Sequence, residues 1–437
     1  MPSPTEVSLK AKSTGALTYY STYADARSAA GSGDTIQIWA DLDEQIILKD
    51  GVDIFIAPGR VVNMSSAMPT IIDNGVSCIC TISGKGIIKN SYHPGLLSAR
   101  YECIKITNGS SRISIVCDYI LGFGKEEESI GGQTINIVEA SKFNLICNNI
   151  QSNFNTAIDI SDCNEVYIKC KKIQSGSVSS LNIGVPVILT SLGIGFIYAD
   201  ELNCKGFGSC LVHKEGILKS KILKITTQDD ETSAEPTILL DDGSENQELI
   251  LYFDEIQNLN SSDGDAVKIV EGKAVLKGRR IYSYKGFSLD LASDFQATCN
   301  EVISDTKGVF IHNPNTTDIV IDSDYIEGST GYYGTIYSIG IAKYTIKNAK
   351  VKNSSASSSS IGMYIDTNSG YPNVTLNNVI VVTGNLDEGQ SIYGTEGGIS
   401  PNLVYNYGLF LNVRASNIQY VVGTNANYKV TVDSVIT

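Results

Sequence analysis

Histidine is nearly missing from the sequence, at 3 of 437 residues, and its positions, His93, His213 and His312, are too far apart for a local metal-binding motif. The ten cysteines include no C-x-x-C pair, which removes the common zinc and redox signatures. Basic residues are outnumbered, with 33 Lys and Arg against 47 Asp and Glu, and the net charge of −14 speaks against a nucleic-acid partner. No stretch approaches the roughly 20 apolar residues of a membrane helix, so no membrane insertion is expected. Met1-Pro2-Ser3-Pro4 leads into neither a basic nor an apolar segment, and the expectation is a chain made in the cytosol without a secretory signal. Free thiols fit that expectation. Charged residues are also sparse, at 18% against 42% apolar, which excludes a solvated, disordered polymer and leaves ample material for a long core.

What is present is a repeat. Its unit is apolar-x-apolar, a polar turn, apolar-x-apolar, a few residues, then one apolar residue and another turn. One copy runs Ile104-x-Ile106, Ile113-x-Ile115, Ile120; the next Ile135-x-Ile137, Phe143-x-Leu145, Ile150; a third Ile158-x-Ile160, Val166-x-Ile168, Ile173. Further copies open at Val187, Cys210, Ile238, Val267, Leu289, Val309, Ile339, Met363, Leu409 and Val430, at steps of about 26 residues. Alternation over three to five β-branched residues between Gly, Asn, Asp and Ser is strand periodicity. The variable step excludes a strict hexapeptide solenoid, the leucine-rich signature is missing, and propeller blades need a longer unit with four strands. The expected fold is all-β, a right-handed parallel β-helix of about 15 coils spanning 34–437, in which each coil buries its apolar face only by stacking on its neighbours. Residues 1–20 read as an N-terminal arm and 21–33 as a short capping helix. In that helix Ser21 or Thr22 is the cap, Tyr20, Tyr23 and Ala24 share a face, and Gly31 closes it.

After this Ala-rich helix come Gly33-Asp34-Thr35-Ile36, Ile46-Ile47-Leu48-Lys49-Asp50-Gly51-Val52-Asp53-Ile54 and Pro58-Gly59. This string resembles the opening of pectin-lyase-like β-helix proteins, especially those of bacteriophage tail fibres and tailspikes. The resemblance implies a fold that hosts glycoside hydrolases, lyases and inert binding proteins, so activity has to be argued from residues.

A glycoside hydrolase needs two carboxylates flanking the scissile bond. Asp241-Asp242 and Asp229-Asp230-Glu231 are the densest acidic groups, but the Gly-His-Gly and Arg-x-Lys motifs of the β-helix polygalacturonases are missing, and a solvated turn is the better reading. Pectate-lyase chemistry would resemble a calcium held by Asp residues on adjacent coils beside an Arg base; Arg279-Arg280 is the only Arg pair, and no acidic cluster is expected to align with it. No motif calls for a catalytic residue, a metal or a cofactor, and the histidines read as turn residues. Tyrosine is uneven: 12 of 23 lie at or beyond Tyr325. A flat apolar face with a polar tip suits sugar stacking and protein interfaces, while ordinary strand enrichment explains the same bias. Candidate receptor or interface contacts are Tyr332, Tyr333, Tyr337, Tyr393 and Glu396, the last two in a long loop at 383–406.

Together these readings lead to an expectation of a structural, non-enzymatic virion protein. It would be a bacteriophage tail fibre, tailspike or similar appendage, assembled in the host cytoplasm as a homotrimer beside other virion proteins and binding a host-surface glycan or protein. The alternatives are a polysaccharide-cleaving enzyme of the same fold, marked by paired carboxylates on adjacent coils, and a bacterial surface adhesin.

Overall fold

The computed structural model describes residues 6–92, 101–122, 133–153, 156–176, 185–205, 208–228, 235–241, 246–313, 318–330, 334–340, 343–357, 360–366, 373–383, 390–394, 402–410, 413–415 and 421–422. The chain divides into two compact units, Met1–Ile222 and Leu223–Thr437. Among the described residues there is one α-helix, Tyr23–Ala29, and every other regular element is a strand. None of these elements is a helix long and apolar enough to cross a membrane.

In the first unit the helix starts at Thr22, whose hydroxyl accepts the Asp25 N–H at 3.1 Å. The Glu44 carboxylate covers the same end by accepting the Tyr23 and Ala24 N–H groups at 2.8 and 2.9 Å. Its buried face is Tyr23 and Ala26, one turn apart. The expected face of Tyr20, Tyr23 and Ala24 does not form, because Tyr20 ends the preceding strand and Ala24 points outward. Arg27 ties the helix down by donating to the Ile47 and Leu48 carbonyls at 2.7 and 3.2 Å. The segment read as an arm contains two strands: Val7–Lys10 pairs antiparallel with both Leu17–Tyr20 and Thr35–Ile38.

Beyond that cap the described strands of this unit pair in parallel. Short strands Ile71–Ile72, Ile104–Ile106, Ile135–Ile137, Ile158–Ile160, Val187–Leu189 and Leu211–His213 form one ladder, with Ile71, Ile104, Ile135, Ile158, Val187 and Leu211 in one column. Ile113, Phe143 and Val166 align in another, as do Ile120, Ile150 and Ile173. All of these are buried. Burying each such side chain contributes about 1.5–3 kcal/mol, and the same residue meets its counterpart above and below, so stability is shared along the column. Stacked parallel strands of this kind are consistent with a β-helix-like solenoid. Close approach between turns demands glycine at Gly84 (φ 117°), where a Cβ would lie 1.9 Å from the carbonyl oxygen of Ile56, its partner in register.

The second unit repeats the scheme with strands Ile238–Leu240, Val267–Ile269, Phe287–Leu291, Gly308–Asn313, Ile336–Gly340, Ile361–Asp366, Gln390–Gly394 and Val413–Ala415. Three repeat openings move. Leu211, not Cys210, holds the column, and Ile336 replaces Ile339. Leu409 belongs to the strand Asn402–Phe410 of the other sheet, while a strand at Gln390–Gly394 was missed. That strand pairs Ile392 with Met363 and lies inside the segment read as a long loop; a Gly- and Ser-rich surround hides its single apolar anchor. Residues 384–389, 395–401 and Val430 are outside the described residues.

Candidate functional site

In the second unit, the middle residue of the short strands from Ile238–Leu240 to Ile361–Asp366 lies on the outer side while its two neighbours fill the core. Reading those middle positions in register gives a column: Leu239, Lys268, Asp290, Phe310, Tyr337 and Tyr364, with Tyr393 as the next register position. Lys268 and His312 grip Asp290 from two sides. The Lys268 ammonium is 3.0 Å from Asp290 Oδ2, and His312 Nε2 is 2.7 Å from Asp290 Oδ1. Asp290 is 5% exposed, whereas the Lys268 and His312 side chains are 38% and 37% exposed.

A second carboxylate, Asp265, is buried just ahead of the Val267–Ile269 strand and accepts the Phe287 N–H at 2.7 Å. Burial first, and then the Asp290 charge, push its carboxyl up to about 7. Burial acts on Asp290 in the same sense, but the His312 hydrogen bond and the Lys268 charge outweigh it and hold Asp290 below the usual carboxylate range. Two carboxyl groups on successive turns are thus driven in opposite directions. The Asp290 charge also raises the Lys268 ammonium against the effect of its partial burial.

An aromatic wall stands beside this cluster. A bulge between Phe287 and Leu289 turns Ser288 inward and leaves Phe287 next to Phe310, with centroids 5.1 Å apart. Phe310 stacks on Tyr337 at 5.1 Å and 8°, on His312 at 4.4 Å and 20°, and Tyr337 meets Tyr364 edge-on at 5.2 Å. The Lys307 ammonium covers Phe287 at 5.2 Å and pairs with Asp263 at 3.0 Å. Ring faces in this wall are therefore packed against one another. Tyr325, Tyr337, Tyr344 and Tyr364 all sit in strands, and Tyr344 is fully buried against Ser338 at 3.0 Å.

Of the five candidate contacts, Tyr337 thus lies in the wall and Tyr393 is the register partner of Tyr364. Tyr332, Tyr333 and Glu396 lie outside the described residues, as do Asp242, Asp229-Asp230-Glu231 and His93. Asp241 follows the Ile238–Leu240 strand, close enough for its charge to act on Lys268. The other two histidines are strand residues, not turn residues: His213 is buried with Nε2 3.0 Å from the Gly216 carbonyl, and His312 is a half-buried member of the cluster. Lys268, Asp290, Phe310 and His312 were missed, yet each occupies the x of the repeat or the next outward position, so reading the x residues as a column finds them.

The Arg pair also differs from expectation, because acids do align with it. Asp254 receives Arg279 at 2.9 Å, and Glu255 and Glu301, on the turns either side of Arg280, lie 3.3 and 3.4 Å from it. These carboxylates share their outward faces with the arginines and are ion-paired to them. Among the described residues, no three His, Cys, Asp or Glu side chains are grouped closely enough to hold a metal ion. No protein family, curated protein or solved structure matches the chain.

Proposed function

We propose that this chain is a structural virion protein of a bacteriophage, a tail fibre, tailspike or similar appendage that binds a host-surface glycan or protein. In this reading its stacked strands are the coils of a right-handed, pectin-lyase-like parallel β-helix, about 15 in number, and three copies associate laterally. The observation that supports it best is the outward column from Lys268 to Tyr364, a polar cluster beside an aromatic wall on stacked parallel strands. Light scattering is expected to give a trimer, and incubation with surface glycans is expected to give binding without chain shortening. A stable monomer at micromolar concentration counts against the appendage reading.

One observation favours a second reading, in which the protein cleaves the glycan. Asp265 and Asp290 are buried carboxyl groups on successive turns, one pushed up and one held down, as an acid and its partner would be. Release of shorter chains, abolished by Asp265→Asn, would put this reading first.

A further inference from the structure

Building on the glycan-binding reading, we propose that the Lys268–Asp290–His312 cluster selects an uncharged polyhydroxylated chain, with His312 Nδ1 as the acceptor for one of its hydroxyls. An ionised carboxylate can only accept, so Asp290 Oδ1 at 2.7 Å selects the tautomer with its proton on Nε2, and in that tautomer Nδ1 keeps its lone pair. No hydrogen bond is made by Nδ1 among the described residues, and the side chain is 37% exposed. The ring is also held in plane against Phe310 at 4.4 Å, so the direction of this acceptor is fixed before any ligand arrives.

The charges around it argue for an uncharged ligand. Lys268 is matched to Asp290 and Lys307 to Asp263, so neither nearby ammonium is left for a carboxylate or phosphate. The chain's net charge of −14 would repel an acidic polymer. A neutral sugar chain presents hydroxyls along its length.

The test is binding of the full chain to an immobilised panel of neutral O-antigen polysaccharides beside acidic capsular polysaccharides. The variant His312→Phe keeps the stacking ring and removes both nitrogens. The expected result is preferential binding to neutral chains, weakened about tenfold by His312→Phe, as for one well-placed hydrogen bond. Asp290→Asn, which lets the amide donate to Nε2 and moves the imidazole proton to Nδ1, is expected to weaken it too, and it decides the matter if His312→Phe fails to fold. Neutral-chain binding that both folded variants retain overturns this inference and leaves the receptor reading standing. Preference for acidic polysaccharides overturns the ligand class, and no binding to any member of the panel overturns the inference and the receptor reading together.

Discussion

His312 reaches across to Asp290 on the preceding strand, and the 2.7 Å contact joins a half-buried ring to a carboxylate that is 5% exposed. With Lys268 on its other oxygen, Asp290 is the hub of the cluster, and its removal strands both partners. A hydrogen bond to a charged group contributes about 1.5–3 kcal/mol, but both partners here are more than a third exposed, so water recovers part of that. Asp290→Ala is expected to cost about 1–2 kcal/mol, and His312→Ala less, read from urea denaturation midpoints. Equal stability of Asp290→Ala and the parent would show that the hub carries no net energy.

Asp265 gives the protein a pH dependence of opposite sign to ordinary acid denaturation. Its folded carboxyl, near 7, binds a proton more tightly than the unfolded one near 3.9. Between those values the folded state holds the extra proton, so this contribution to stability is full at low pH and is lost as pH rises towards 7. Asp290, depressed when folded, works the other way and loses its contribution as pH falls below its unfolded value. Melting curves of the parent and Asp265→Asn are expected to diverge from about pH 4 to 7 in favour of the variant and then run parallel. A difference that stays constant across this range would show that Asp265 is not raised.

The aromatic wall is expected to be energetically coupled, not merely adjacent. Phe310 and Tyr337 lie in register, 5.1 Å apart and nearly parallel. A double-mutant cycle with Phe310→Leu and Tyr337→Leu is expected to return a coupling of about 1 kcal/mol. Zero coupling in thermodynamic cycles by urea would mean that the rings only share a surface.

The three copies from Ile104 to Ile173 were legible because β-branched residues there repeat at fixed offsets, and every one of those apolar anchors is buried in register. Legibility fades where anchors thin out: Ile392 is flanked by Ser and Tyr, and Ile336 and Ile339 both fit the pattern although Ile336 takes the column. The candidate site was hidden for a different reason. Lys268, Asp290 and the strand that carries both Phe310 and His312 are separated by whole turns of chain, and their proximity depends on register, which the bulge at Ser288 alters locally. A tyrosine count pointed towards Tyr337, but it missed the imidazole, carboxylate and ammonium one, two and three turns earlier.

The cysteines allow the register itself to be tested. Cys117, Cys147 and Cys170 lie two residues after Ile115, Leu145 and Ile168, which are mutual register partners, and three before Ile120, Ile150 and Ile173, which are register partners as well. They therefore occupy one position on successive turns, and the neighbouring Cys170 thiol, together with burial, raises the Cys147 thiol. All ten cysteines are free and buried. Burial pushes Cys78 and Cys163 up to about 11 and Cys117 and Cys299 up to about 12, far above the pH of a labelling reaction. With the thiolate scarce and the sulfur covered, native protein at pH 8 is expected to show no rapidly reacting thiol, and denatured protein to show ten. Labelling in stages with rising urea should then release Cys117, Cys147 and Cys170 together, because they belong to one stack. Rapid labelling of any of the three in the native protein would place it outside the column and show the register of that region to be wrong.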